Sequence, residues 1–355
     1  MNALRATAFA IAVLLTVAQV AFAQAPVRYV EIIHAATAQV VFTEDGQQGL
    51  FGDAEIAYGE MRLVASEITF DSETQLVKLS GQVRLTAPEF TLDAASCEAD
   101  LSSGVITANG GLQFLYTAQG VTATSDSGTL SLNMADYQPL RAELSGNVKA
   151  IWSEGLELSG KVLRYDFVEA LCVLENGFKA VINSKLLTGQ ASELTGGDVT
   201  VAGSRAFLKT EGENPRKLLL TSSDVTLSAP RLSVSGSSLT ANFAVEEETS
   251  SGVEQALFSV RGSDTMPVNG WLLDSDGNTI SFHAKSMEKK MGSCELVLSG
   301  DVEVKGREFS LAAQTVVAVP EGKGVRVTIP ERFRVDLAPE LFEGRKADAS
   351  EQLTG

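Results

Sequence analysis

A five-residue motif, Leu-Ser-Gly-x-Val, recurs three times in this chain, each time inside a longer alternating pattern. Its copies occupy residues 79–83, 144–148 and 298–302. Around the first copy, Val77, Leu79, Val83 and Leu85 share one parity and polar residues fill the other. Because successive side chains of a strand point to opposite faces, this alternation predicts half-buried β-strands. Gly-Gly, Asn-Gly and Asp-Gly dipeptides, which favour tight turns, separate the alternating runs, so the chain is predicted to be all-β.

The repeat extends on both sides of the motif. An apolar pair follows each glycine at similar spacing: Phe90 and Leu92 after Gly81, Leu156 and Leu158 after Gly146, and Phe309 and Leu311 after Gly300. An aspartate lies ten or eleven residues before Gly81, Gly110, Gly146 and Gly177; these are Asp71, Asp100, Asp136 and Asp166. Segment 86–92 is also similar to segment 228–234, which indicates that the whole arrangement is duplicated.

Repeats of fixed period indicate units that cannot cover their own apolar faces and therefore stack on their neighbours. A glycine inside a strand permits a sharp bend or the close approach of another backbone. We therefore expect Gly81, Gly146 and Gly300 to bend successive strands at one level, so that two sheets curl over each other into a long sandwich or an open trough. Ordinary strand termination by glycine is the alternative.

Charge and residue counts argue against several classes of function. The formal net charge of −17 disfavours a general nucleic-acid binder, because affinity for phosphates comes from Lys and Arg. Neither of the two histidines has a nucleophile or carboxylate arrangement around it, so we predict no catalytic site, no cofactor and no enzyme. Cys97, Cys172 and Cys294 form no C-x-x-C pair, which argues against a zinc site. They are interpreted as small buried apolar residues, with one disulfide as the alternative.

The first 23 residues are typical of a secretory signal peptide. Arg5 is followed by the apolar run 8–17 and then by Ala21-Phe22-Ala23, which has small residues at the last and third-last positions. A transmembrane anchor is the alternative; it needs about 20 apolar residues. Gln19 interrupts the apolar run. The mature chain is therefore predicted to be exported and soluble outside the cytoplasm.

The repeat unit resembles a known family. It reads small-x-x-apolar-x-aromatic-Asp and continues, after about five residues, into Leu-x-Leu-Ser-Gly-x-Val; the matching stretches are 65–71 leading to 81–83, and 163–166 leading to 177–178. Behind a signal peptide, such units resemble the OstA-like (organic solvent tolerance) domain, the β-jellyroll of the periplasmic lipopolysaccharide-transport bridge proteins. The resemblance is clearest over residues 50–180, returns over 280–315 and is loose over 185–280.

This resemblance implies an elongated β-jellyroll, a V-shaped antiparallel sandwich built from repeated hairpins. It implies one OstA-like region over 24–185, a more divergent one over 186–345 and a flexible tail over 346–355. The interior of such a jellyroll holds acyl chains. The residues expected to line it are Val83, Leu85, Phe90, Leu92, Val148, Leu156, Leu158, Val302, Val304, Phe309 and Leu311. From the residues alone, a closed core filled by the same side chains fits equally well.

The family's role implies a periplasmic protein that conveys lipopolysaccharide, or a similar multi-acyl lipid, towards the outer membrane. Members join other OstA-like jellyrolls end to end by edge-strand pairing, for which segments 27–33 and 325–335 are the candidates here. A structural or adhesive envelope protein without a lipid ligand is the alternative. A secreted β-helical enzyme acting on polysaccharide would need clustered Asp, Arg or Lys on one strand face, and the repeats show no such cluster.

Overall fold

The chain is built from antiparallel β-strands. The computed structural model describes residues 30–42, 47–152, 155–184, 195–210, 217–244, 256–274, 276–290, 295–321 and 324–337. Every element in these ranges is a strand, which confirms the predicted all-β fold. The predicted signal peptide, Cys294 and the predicted tail lie outside the described residues.

The first ten strands form an up-and-down meander in which each strand pairs with the next. They are β1 (Val30–Phe42), β2 (Gln47–Tyr58), β3 (Met61–Asp71), β4 (Leu76–Thr86), β5 (Phe90–Asp100), β6 (Val105–Tyr116), β7 (Val121–Asn133), β8 (Gln138–Trp152), β9 (Leu156–Asp166) and β10 (Leu171–Ile182). Alternation buries one face of a strand, as in β6, where Ile106, Ala108, Leu112 and Phe114 are buried.

The meander continues beyond β10 with several strands interrupted near the middle. These strands are β11 (Val199–Gly203), β12 (Arg205–Thr210), β13 (Lys217–Ala229), β14 (Leu232–Ala244), β15 (Ala256–Arg261), β16 (Val268–Leu273), β17 (Thr279–Ala284), β18 (Ser286–Lys290), β19 (Leu296–Lys305), β20 (Phe309–Glu321), β21 (Gly324–Thr328) and β22 (Phe333–Leu337). The pairs β11/β12, β15/β16, β17/β18 and β21/β22 each lie along one longer neighbour and act as single broken strands. Pairing links β1 to β22 in one sheet, and the predicted division into two domains stays a prediction.

A column of β-bulges crosses the sheet at mid-strand. Each of β4, β6, β8, β10 and β19 has one residue more than its neighbours at this level. The bulge residues all have positive φ; they are Gly81–Gln82, Gly110–Gly111, Gly146–Asn147, Asn176–Gly177 and Gly300–Asp301. A bulge bends its strand and increases the local twist. We call this line the bulge column, and it contains Gly81, Gly146 and Gly300 of the three motif copies.

The bulge column folds the sheet into two walls. In the strands between the bulged ones, two successive residues point outward at this level, as Ser66 and Glu67 do between buried Ala65 and Ile68. Side chains before and after the column therefore point into the same interior. The first wall comprises the strand halves that lead to the turns at 59–60, 87–89, 117–120 and 306–308. The second wall comprises the strand halves that lead to the turns at 72–75, 101–104, 134–137 and 167–170. We call these two rows of turns the first lip and the second lip.

One buried apolar cluster lies between the walls and extends from Phe51 in β2 to Val316 in β20. Each wall alone would leave an apolar face in water, and burial contributes about 25 cal/mol for each Å² of apolar surface. Packing the two walls together is therefore the main stabilising interaction. The architecture is an elongated antiparallel sandwich of the jellyroll kind, as predicted.

The repeated aspartates cap turns of the second lip. Asp71, Asp100 and Asp166 end β3, β5 and β9, and the Oδ1 atom of each accepts hydrogen bonds from the backbone N–H groups two and three residues later. The fourth aspartate identified from spacing, Asp136, does not hold this position. Asn133 ends β7 and accepts the N–H two residues later at 3.0 Å instead. Asp136 lies inside the same turn, 134–137, where its Oδ1 accepts the N–H of Gln138 at 3.1 Å; it is displaced from the strand end because β8 is 15 residues long, whereas β4 has 11.

The Asp100 turn gives a prediction for pH-dependent stability. Hydrogen bonds from Ser102 and Ser103 lower the pKa of Asp100 from 3.8 to about 2. The ionised carboxylate therefore stabilises the fold above about pH 4, and this contribution is lost as the pH falls towards about 2. We expect Asp100→Ala to lower the free energy of unfolding near neutral pH, with the difference from wild type shrinking between about pH 4 and pH 2.

Urea titrations over this pH range measure the effect. Asp100→Asn is the matched control, because its side-chain oxygen still accepts both N–H groups but carries no titrating proton. A difference between wild type and Asp100→Ala that stays constant as the pH falls would show that this carboxylate does not stabilise the turn through its charge.

Candidate ligand-binding interior

The residues predicted to line a lipid groove all belong to one wall. Val83, Leu85, Phe90, Leu92, Val148, Leu156, Leu158, Val302, Val304 and Leu311 are buried, and Phe309 is half-buried. They lie in three separate hairpins, in which, for example, Leu85 is opposite Leu92 and Val304 is opposite Leu311. Every one of them lies between the bulge column and the first lip, so the predicted set describes the first wall.

The second wall is the part of the interior that the sequence reasoning missed. It carries buried Leu79, Leu144 and Leu298, the first residues of the three motif copies, together with Ile106 and Leu174 of other strands. These leucines precede the motif glycine, whereas the predicted lining was traced from the glycine onward. The alternation on the upstream side was the signal that could have identified them, because a sharp bend turns both strand halves towards one interior.

The interior is closed and packed in the described residues. None of the side chains predicted to line a groove is exposed. An apolar pocket of about 20 Å³ lies between Ala123 and Ala150 of the first wall and Ala142 and Leu163 of the second. On this scale one water molecule needs about 10–15 Å³. The pocket is therefore far too small for an acyl chain unless the walls move apart.

Side chains of the two lips meet across the mouth of the sandwich. The contacts are the Tyr137 ring against the Tyr58 ring with centroids 6.5 Å apart, Gln138 Nε2 donating to Glu89 Oε1 at 3.3 Å, and the Tyr165 hydroxyl donating to Gln119 Oε1 at 2.7 Å. Each contact joins a residue at or beside the first lip to one at or beside the second. The bulge column joins the walls through the backbone, whereas these lip contacts are made by side chains.

Burial among apolar side chains determines the ionisation of the titratable groups in the interior. Burial raises the pKa of the Cys97 thiol to about 12 and also raises that of Cys172, so both stay protonated, and neither forms a disulfide. Burial likewise raises the pKa of the Tyr165 hydroxyl to about 12. Across the described ranges, no group of three or more His, Cys, Asp or Glu side chains is arranged to hold a metal ion.

The first and last strands extend the sheet beyond the packed interior. The β1 strand runs further than the predicted edge 27–33, and Val41 and Phe42 at its end are 47% and 73% exposed. The predicted edge 325–335 divides into β21 and β22 around Pro330, with Phe333 and Leu337 57% and 48% exposed. Among the described strands, β1 pairs only with β2, and β22 only with β20. Each end of the sheet therefore presents an edge with apolar side chains in water.

A search of the described ranges for a helix long and apolar enough to cross a membrane finds none. No protein-family model matches the chain, and no curated protein matches it significantly. Function therefore has to be inferred from the residues and their geometry.

Proposed function

We propose that this chain is a periplasmic lipid-binding protein that conveys lipopolysaccharide, or a similar lipid with several acyl chains, towards the outer membrane through the interior between its two walls. Two sequence features support this role: the repeats that resemble OstA-like domains, and the segment 1–23 that is typical of a signal peptide. The role requires binding and release of lipid, with no catalytic step and no cofactor.

The observation that carries this proposal is the continuity of the apolar interior. Buried apolar side chains extend through both walls from Phe51 to Val316. Few buried side chains in the described residues are polar or charged; they are Ser125, Thr195, Ser222 and Lys289. Each methylene group that leaves water contributes about 0.8 kcal/mol. An interior of this kind retains flexible acyl chains strongly without fixing their position, which suits a lipid that must pass along it.

Lipid binding requires the walls to separate. The side-chain contacts at the lips hold the walls together more weakly than the continuous backbone at the bulge column. Side-chain hydrogen bonds and ring contacts join the lips, among them the bonds of Gln138 and Tyr165, and a hydrogen bond contributes about 0.5–1.5 kcal/mol net. Along the bulge column, by contrast, neighbouring strands share backbone hydrogen bonds on both sides of each bulge. Opening at the lips with the bulge column as a hinge therefore leaves the backbone ladder intact, and acyl chains between the walls would replace the apolar packing that is lost.

End-to-end assembly with other jellyroll proteins is part of the same proposal. The outer edges of β1 and β22, which have no partner among the described strands, carry backbone N–H and C=O groups that another strand can pair with. Exposed apolar side chains, among them Phe42 and Phe333, flank these edges. Pairing there would extend the sheet from one molecule to the next and place their interiors in line.

A structural or adhesive envelope protein without a ligand is the second candidate. The observation that favours it is the packed interior, since Leu85 and Leu158 are fully buried by other side chains of the same chain. The side chains of such a core shield one another from water, so the core needs no ligand to be stable. The two candidates therefore differ in whether the walls open to admit lipid.

Photo-crosslinking from interior positions separates the two candidates. A photoreactive residue at Phe90 or Leu158, irradiated with purified lipopolysaccharide, is expected to form a lipid adduct because both positions lie between the walls. The matched control is Ile151, which is 41% exposed and follows Ala150, the register partner of Leu158. A probe at Ile151 is expected to give little or no adduct.

The absence of adducts at both interior positions, in variants whose circular dichroism matches the wild type, would favour the structural role. In the host, depletion of the protein is expected to leave lipopolysaccharide stalled at the inner membrane. Normal delivery after depletion would count against transport.

A further inference from the structure

A pocket lined by three alanines and by larger aromatic and aliphatic side chains lies between the walls at the level of β7 and β8. Ala123 and Ala150 are opposite each other in register on the first wall, and Ala142 lines the same pocket from the second wall. Nearby interior positions carry larger side chains, such as Leu130 and Leu158. The space exists because three small side chains lie around one point, and all of the surface that faces it is apolar.

An aromatic cluster separates this pocket from the lips. The ring of Phe167, at the start of the turn after β9, packs edge-on against Tyr165 and Tyr116 with centroid distances of 4.7 and 4.9 Å. Tyr116 belongs to the first wall and Phe167 to the second lip, so this ring spans the mouth of the sandwich. The hydrogen bond from Tyr165 to Gln119 lies in the same place.

We infer that this pocket, enlarged when the walls move apart, is the receiving site for the end of one linear alkyl chain and that Phe167 is the plug which the chain displaces. The inference rests on the proposed function, which supplies the source of the chain as an acyl group of the transported lipid. The pocket favours a linear alkyl chain because its apolar surface offers no hydrogen bond or charge to a polar ligand.

The position of Phe167 allows it to move without breaking the sheet. It lies in turn 167–170, where its backbone N–H donates to the Leu140 carbonyl of β8 at 3.0 Å, so that only its side chain needs to move, and its neighbour Val168 is 76% exposed. Its ring is only half-buried, in contrast to the fully packed residues deeper in the walls. Rotation of this ring towards solvent would connect the alanine-lined space with the mouth between the lips.

Tryptophan fluorescence reports directly on this pocket. The chain has two tryptophans, and one of them, Trp152, lines the pocket, whereas Trp271 lies in β16. In a Trp271→Phe background, the bromine of 12-bromododecanoic acid is expected to quench Trp152 on contact, and quenching should saturate with probe concentration. In a Trp152→Phe background, which retains Trp271, we expect no saturable quenching.

Variants at the plug and the pocket test the assignment. Phe167→Ala is expected to tighten probe binding about tenfold, the factor by which an open fraction of about one tenth lowers an apparent affinity. Ala142→Leu and, separately, Ala123→Leu are expected to abolish the quenching by filling the pocket. Val168→Ala is the matched control in the same turn and should leave the affinity unchanged.

The outcomes separate this inference from the proposed function. Quenching that is unaffected by Phe167→Ala and by both filling variants would overturn the pocket assignment, while lipopolysaccharide adducts at Phe90 or Leu158 would still support transport. Absence of both quenching and adducts would overturn both. Circular dichroism identifies a filling variant that fails to fold. In that case Tyr165→Phe, which removes only the lip hydrogen bond, takes its place in the test. Unchanged probe affinity in both Tyr165→Phe and Phe167→Ala would contradict a plug.

Discussion

Replacing Phe90 by alanine is expected to lower the free energy of unfolding by about 3–5 kcal/mol, the range for an aromatic side chain removed from a packed core. The Phe90 side chain is 1% exposed, and its ring lies 5.8 Å from that of Phe114. Alanine at this position loses the transfer free energy of the ring and leaves a cavity between the walls.

Leu115→Ala is the matched control for this prediction. Leu115 lies on the neighbouring strand opposite Thr91, but it faces outward and is 40% exposed. Its removal is expected to change stability by less than about 0.5 kcal/mol. Urea titrations of both variants provide the measurement, with the slope checked because it scales with the surface exposed on unfolding.

The size of the Phe90 effect bears on the state of the protein without lipid. A loss of several kcal/mol is expected if the walls are packed together in solution, as they are in the structure. A loss close to that of Leu115→Ala would mean that the interior is open to water in the free protein, contrary to the closed packing described above.

Replacing Gly110 by alanine is expected to destabilise the fold by about 2–4 kcal/mol, made up of about 1 kcal/mol for a left-handed backbone and about 1–3 kcal/mol for overpacking. Gly110 has a φ of 82°, and a Cβ atom there would lie 2.6 Å from the Cβ atom of Ala95 on the adjacent strand. Neither atom can move without shifting the backbone at the bulge column.

The second glycine of the same bulge supplies the control. Gly111 has a φ of 78°, but no described atom beyond its chain neighbours lies within 4 Å of the position that its Cβ would take. Gly111→Ala is therefore expected to cost only the backbone contribution of about 1 kcal/mol. Equal losses at the two positions would show that close approach across the column does not matter.

A double substitution tests the contact itself. Ala95→Gly removes the atom that the new Cβ at Gly110 would meet. It is expected to recover about 1–3 kcal/mol of the Gly110→Ala loss, a coupling that a double-mutant cycle isolates. Additive effects of the two substitutions would contradict the proposed clash.

The sequence predicted the all-β class, the strands around the three motif copies and one wall of the candidate site. Alternation placed Leu85 and Phe90 inside correctly, because side-chain direction in a strand depends only on parity. In a bulged strand the extra residue keeps one parity buried on both sides of the bulge, as for Leu79 and Val83 in β4, whereas the buried parity changes in the strands between, as from Ala65 to Ile68 in β3. Parity therefore placed Leu79 and Leu144 inside as well, but the predicted lining began at each motif glycine, and only the sharp bend shows that the residues before it face the same interior.

Local preferences determined the β-class, the turns capped by Asp71 and Asp100, and the level of the bends, because each depends on the conformation of a few consecutive residues. The tertiary structure alone decided that the two strand halves share one interior, that Tyr165 reaches Gln119 across the mouth, and that alanines of different strands surround one pocket. These contacts join residues far apart in the chain, and their distances depend on how sharply the whole sheet folds. No local pattern encodes that angle.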